Sequence, residues 1–118
     1  MAENKKAGDF GEDIAAEYLV QNGYEIIERN YRFGHGEIDI IAKKNNVLVF
    51  IEVKTRTSLE FGEPEYAVTK TKQNQVRKIA AAYLYEKEIK DQDCRLDVIA
   101  ILFRTKSKYS LNHIENAF

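Results

Sequence analysis

Asp39 and the run Glu52-Val53-Lys54 are the residues that could do chemistry. They lie in two stretches, residues 37–43 and 47–55, that are rich in Ile and Val, with Asn45-Asn46 between them. That pattern reads as two strands joined by a two-residue turn. In such a hairpin Ile40 opposes Ile51, Asp39 opposes Glu52 and Glu37 opposes Lys54. Side chains alternate along a strand, so Glu37, Asp39, Glu52 and Lys54 are expected on one face, with Ile38, Ile40, Ile51 and Val53 on the other. Two carboxylates directly opposed, with Cβ atoms roughly 5 Å apart, repel each other. A divalent cation relieves that repulsion, since Mg²⁺ is commonly held by one or two carboxylates together with water and substrate phosphate oxygens. Lys54 can hold a water or stabilise charge on a phosphate. The set is a phosphodiester-cleaving constellation.

The flanking elements must position these groups. Residues 6–22 read as a helix, with Phe10, Ile14 and Tyr18 at i, i+4, i+8 and Gly23 as its stop. Asp9, Asp13 and Glu17 form a separate, solvated stripe. Glu12 differs, because its helical neighbours Gly8, Ala15, Ala16 and Leu19 are small or apolar. A carboxylate among them faces other protein and needs a partner there. Residues 24–33 suggest a first strand, and Gly34 and Gly36 then bracket His35. These glycines permit a sharp turn or a close backbone approach, and His35 reads as a solvated loop residue.

Glu37 reads mainly as a cross-strand partner that positions Lys54, and only secondarily as a ligand. Arg56 shares the face of Lys54 and can contact phosphate or close a rim salt bridge. Residues 57–68 lack periodicity and hold the one proline, Pro64. They read as a substrate-guiding loop directly after the strand that carries Lys54.

A second helix is expected over 69–89. Thr69 can cap it, and Val76, Ile79, Ala80, Tyr83 and Leu84 form its apolar stripe. Its first turns carry Lys70, Lys72, Arg77 and Lys78 with no acid, which opposes the helix dipole unless an anion binds there. Lys70, Lys72 and Arg77 are therefore candidate phosphate contacts, with Gln73 beside them. Residues 95–104 carry apolar groups on both faces and read as a buried strand. Asp97 within it must be paired by Arg95, Arg104 or backbone donors, as a structural buried aspartate. The last ten residues dock as a short strand or tail.

At 118 residues the chain is long enough for a single core and reads as one domain. A hydrophobic content of 44% and a charged content of 31% place it among ordinary globular proteins. No apolar run reaches membrane-spanning length, and the polar start is unlike a signal peptide. A lone cysteine, Cys94, excludes an internal disulfide, and with only His35 and His113 it leaves no zinc cluster of the usual spacing. A cytoplasmic location is the simplest reading. The net charge of −1 argues against a generic polyanion binder, but the basic excess gathers in residues 67–118, where a nucleic acid could meet it.

The same residues carry a family resemblance. Asp39 with Glu52-Val53-Lys54 resembles the signature of the PD-(D/E)xK nuclease superfamily, with Ile38 where the superfamily name puts proline. Gly11-Glu12, Gly36-Glu37-Ile38-Asp39, Phe50-Ile51-Glu52-Val53-Lys54-Thr55-Arg56 and Arg95-Leu96-Asp97-Val98 together look like the bacterial YraN family, in the right order and over nearly the whole length. The resemblance implies an α/β, restriction-endonuclease-like αβββαβ core with a central mixed sheet flanked by helices. It implies Asp39 and Glu52 as metal ligands, Lys54 as the catalytic lysine and Glu12 as a further ligand, as in archaeal Holliday-junction resolvases. The activity expected is a metal-dependent endonuclease on branched or single-stranded DNA. Asp39, Glu52 and the Val53 carbonyl would hold Mg²⁺ or Mn²⁺. The expected partner is nucleic acid, DNA first, with no membrane; a homodimer is left open. A non-catalytic nucleic-acid-binding module and a protein-interaction factor are the rival readings.

Overall fold

The computed structural model describes residues 7–57 and 68–118, with side chains from Phe10 onward. The elements run α1 (Ala7–Gln21), β1 (Glu25–Phe33), β2 (Gly36–Lys44), β3 (Val47–Thr57), α2 (Lys70–Glu86), β4 (Cys94–Phe103) and β5 (Tyr109–Ile114). This is the expected αβββαβ order with a closing strand, in an α/β arrangement. Residues 1–6 and 58–67, which include most of the expected substrate-guiding loop, lie outside the described residues.

The five strands form one sheet in chain order. β1, β2 and β3 pair antiparallel, β3 and β4 pair parallel, and β4 and β5 pair antiparallel. The sheet is therefore mixed, and the single parallel step is the one bridged by α2, as a crossover requires. Asn45 and Asn46 both have positive φ, 50° and 65°, which a two-residue hairpin turn of matching twist demands.

Each face of the sheet buries one helix. Ala15 and Leu19 of α1 pack with Tyr24, Ile40, Ala42, Val49, Ile51, Ile99 and Ile101. Val76, Ile79, Ala80 and Tyr83 of α2 pack with Tyr31, Ile38, Ile41, Leu48 and Phe50 on the opposite face. The α2 stripe is the one its spacing predicts, and the Thr69 hydroxyl caps it by accepting from the Lys72 N–H at 3.1 Å. The helix ends at Glu86, three residues short of the expected Ile89.

The α1 stripe departs from expectation. Phe10 is half exposed, and the fully buried positions are Gly11, Ala15 and Leu19, one residue round from Phe10, Ile14 and Tyr18. Small residues let the helix lie close to β3. A Cβ on Gly11 would collide with Thr55 Oγ1. Close approach outweighed the larger apolar side chains in choosing the buried face. Gly36 plays the same part for α2, since a Cβ there would sit 2.7 Å from both Gln75 Nε2 and Ile79 Cδ1. Its close approach is to a helix rather than to a ligand.

Asp97 is fully buried and fully paired. Arg95 donates from Nε to Oδ1 at 2.9 Å and from a terminal nitrogen to Oδ2 at 3.0 Å. His113 Nε2 lies 2.8 Å from Oδ2, and the Asn116 backbone N–H donates to Oδ1 at 3.0 Å. Tyr18 and Tyr24 close the network on His113 Nδ1 and Arg95. The expected structural aspartate thus fastens β5 and the chain after it to β4. Arg104, one of its expected partners, is instead exposed.

Candidate active site

The β2–β3 ladder has the expected register, with Ile40 opposite Ile51 and Lys44 opposite Val47, but it stops at Ile40–Ile51. Beyond that point β3 continues alongside β4 as far as Thr57–Phe103, while β2 continues alongside β1 as far as Gly36–Phe33. The two strands part where Asp39 would have met Glu52. The Asp39 carboxylate fills the gap, its Oδ2 accepting the Val53 N–H at 2.8 Å. A side chain thereby replaces a ladder bond and satisfies a backbone donor.

Alternation also breaks at Asp39. Ile38 packs on the α2 side with Ile41, whereas Ile40 packs on the α1 side with Ala42. The expected common face for Ile38, Ile40, Ile51 and Val53 therefore holds for the last three only. The neighbouring strand is irregular at the same level. Asn30 stands between Arg29, which pairs with Ile40, and Tyr31, which pairs with Ile38, and it has a φ of 53°. A left-handed residue inside a strand re-aims the side chains on either side of it.

The result is a convergence of acids. Oxygens of Glu12, Glu37 and Asp39 all lie within 4.8 Å of one another. Glu12 arrives from α1 and accepts from Asn30 Nδ2 at 3.0 Å, with Arg29 3.8 Å away. Glu37 lies 3.4 Å from Arg32. Glu52 stands outside this trio, its Oε2 3.5 Å from Lys72 Nζ in the first turn of α2. It still acts on the group electrically. Asp39 is pushed up to about 8, first by burial and then by the charge of Glu52, with Glu12 and Glu37 adding and the Val53 N–H opposing. Burial also raises Glu52, against the pull of Lys72 and Lys54. Three carboxylates thus share one small volume, Glu52 acts on them from outside it, and burial disfavours ionisation of the innermost.

The donor set fits a hard divalent cation. It consists of carboxylate oxygens alone, grouped closely enough to repel, around a member whose ionisation burial opposes. The remaining candidate residues lie on β3, on α2 and in the turn before β2. Lys54 is half-buried on β3, two residues beyond Glu52 and near enough to lower it. Arg56 is half-buried, with its guanidinium donating to the Thr55 carbonyl at 3.1 Å. Lys70 and Arg77 are exposed on α2. Gln73 donates to the Val68 carbonyl at 3.0 Å, which ties down the chain entering the helix. His35 is exposed in the turn.

Asn30 is the site residue that the sequence reading passed over. A signal was present, since Asn is depleted in strands and enriched at positive φ, and here it interrupts a strand-like run.

A family model described as uncharacterised protein family UPF0102 matches residues 11–101. A UPF0102 protein of Trichlorobacter lovleyi is 47% identical, over 98% of this chain and 91% of its own length. One of Chlorobium phaeobacteroides is 51% identical over 92% and 89%, and one of Dictyoglomus turgidum is 41% identical over 98% of each. Among solved structures, Pyrococcus furiosus SfsA in complex with Ca²⁺ matches 90% of this chain and 60% of its own, at 15% identity and a TM-score of 0.37.

Proposed function

The chain belongs to the uncharacterised protein family UPF0102, the YraN family, and from that premise we propose that it is a metal-dependent endonuclease acting on DNA. The observation that carries this reading is the gathering of Glu12, Glu37 and Asp39 at the point where β2 and β3 part, with Glu52 and Lys54 beside them on β3. Acids gathered this closely repel one another, and although Arg29, Arg32 and Lys72 each meet one of the surrounding carboxylates, Asp39 at the centre stays raised, which a bound cation would relieve.

Asp39, Glu12 and Glu37 would hold the ion, Mg²⁺ or Mn²⁺, with Glu52 joining as Lys72 turns to the substrate. A bound ion supplies Lewis-acid polarisation of the phosphate and activation of water. The chain's own groups do the rest. Lys54 stabilises charge that develops on the phosphate, and Lys72, Lys70 and Arg77 at the start of α2 hold the flanking phosphates. Arg56 continues that basic line along β3. The lone, exposed Cys94 fits a reducing, cytoplasmic setting. No described helix is long and apolar enough to cross a membrane.

Incubation of the protein with linear, flapped and four-way-junction DNA in Mg²⁺ or Mn²⁺ tests the reading. Cleavage that requires the ion is the expected result. Binding without cleavage under every metal and substrate would leave a nucleic-acid-binding module on this fold.

Asn30 positions Glu12, and its two roles can be separated. Asn30→Gly keeps the left-handed backbone, so stability should change by less than about 1 kcal/mol. The amide that holds Glu12 is lost, so Mn²⁺ affinity by calorimetry should fall about 10-fold or more. Equal affinity in Asn30→Gly and wild type would show that the amide does not hold Glu12 for the ion.

A further inference from the structure

On the outer side of β1, a groove of about 720 Å³ runs between that edge strand and α2. Phe33 and Tyr85 line it, 48% and 88% exposed. The Tyr85 ring is thus bare on a helix whose Tyr83, two residues earlier, is buried in the core. Ala81 and Ala82 give the groove a low floor, and Arg32 and Lys78 supply positive charge. Among the described residues that line it the one acid is Glu86, which accepts from the Tyr31 hydroxyl at 2.5 Å. Arg32 also joins the groove to the carboxylate cluster, since its guanidinium lies 3.4 Å from Glu37.

We propose that this groove binds unpaired bases of a single-stranded nucleic acid, stacked on Phe33 and Tyr85, with Arg32 and Lys78 on the backbone leading to the acidic site. The proposal rests on the nuclease reading of that site and names the form of substrate it takes. Exposed aromatic faces beside basic side chains are what single strands require, because every base offers a face to stack on while phosphates need cations. A duplex keeps its bases stacked on one another and offers no free face to a tyrosine. A protein strand added to the β1 edge is the less fitting occupant. The register of β1 shifts between Ile26 and Glu28, and Asn30 has positive φ, so the edge does not present a regular ladder.

The test is fluorescence anisotropy of the full chain with labelled oligothymidylate and with a duplex of the same length, in EDTA so that nothing is cut. Tyr85→Ala and Phe33→Ala should each weaken single-strand binding about 5- to 30-fold. Duplex binding should change by less than about 2-fold in each. Both side chains are exposed, so circular dichroism and melting should match wild type. Tyr85→Trp would be the only tryptophan in the chain. It should keep the affinity, and its emission should be quenched by the oligonucleotide.

Wild type that binds oligothymidylate no better than either alanine variant overturns the groove proposal and leaves the nuclease reading standing. So does a Tyr85→Ala variant whose only change is loss of a dimer in sedimentation, which would make the groove a surface between copies. Wild type that binds neither single strand nor duplex overturns the groove proposal, while the nuclease reading stands or falls separately on ion-dependent cleavage in Mg²⁺ or Mn²⁺.

Discussion

Lys54→Ala is expected to lose DNA cleavage by about 10²- to 10⁴-fold while keeping most of its metal and DNA affinity. The reason is positional. Lys54 follows Glu52 by two residues on β3, so it shares that face one pleat, roughly 6–7 Å, further along. It lies beside the acids without being able to ligate a cation. A positive group there acts on charge that exists mainly in the transition state, so turnover falls far more than ground-state binding. Single-turnover cleavage and anisotropy in EDTA separate the two. Glu37→Gln should differ from Lys54→Ala by weakening Mn²⁺ affinity together with cleavage, because its carboxylate belongs to the group placed to hold the ion. Cleavage by Lys54→Ala at the wild-type rate would remove the lysine from the chemistry.

Asp97→Ala is expected to destabilise the fold by about 3–5 kcal/mol, the effect of stranding the partners of a buried ion pair. Arg95, His113 and the Asn116 N–H would all lose their acceptor inside the protein. Urea unfolding should show it as a lower midpoint with an unchanged slope. Asp97→Asn retains one acceptor oxygen and should cost less. The pH dependence follows from the same bonds. Burial alone would raise the Asp97 carboxyl, but His113, Arg95 and the Asn116 N–H outweigh it and hold it below the usual value. A depressed carboxyl contributes stability above its unfolded value, and that contribution is lost as pH falls through the folded one. Wild type should therefore lose more stability on acidification than Asp97→Asn. Equal acid sensitivity would show that the network does not set it.

The sequence made the hairpin legible because both of its signals are local. Asn45-Asn46 dictates the turn, and the turn dictates the register of Ile40 against Ile51. Glu12 was legible for a related reason, since a carboxylate among Ala15, Ala16 and Leu19 has to face protein. Two features were not legible. The parting of β2 from β3 beyond Ile40 depends on Asp39 reaching across to the Val53 N–H, which no alternation rule encodes. The change of face between Ile38 and Ile40 coincides with the left-handed Asn30, a residue of a different strand. Both are tertiary effects at the candidate site, where local regularity gives way. The α1 face was misread for a third reason. Hydrophobic periodicity ranks Phe10 above Gly11, but helix–sheet distance ranks them the other way.

Calorimetric titration of Mn²⁺ into wild type and Asp39→Asn, between about pH 6 and pH 8, tests the metal site most directly. In the folded, metal-free chain Asp39 is raised to about 8, so its contribution to stability is full below the unfolded value and is lost as pH rises through about 8. An ion must displace that proton. Wild type should bind Mn²⁺ with release of a proton, and affinity should rise by up to about 10-fold per pH unit across the range. Asp39→Asn should show no such binding, and without metal it should melt above wild type at the alkaline end. Matching isotherms for the two proteins, with no proton release by either, would contradict a divalent-cation site at Asp39.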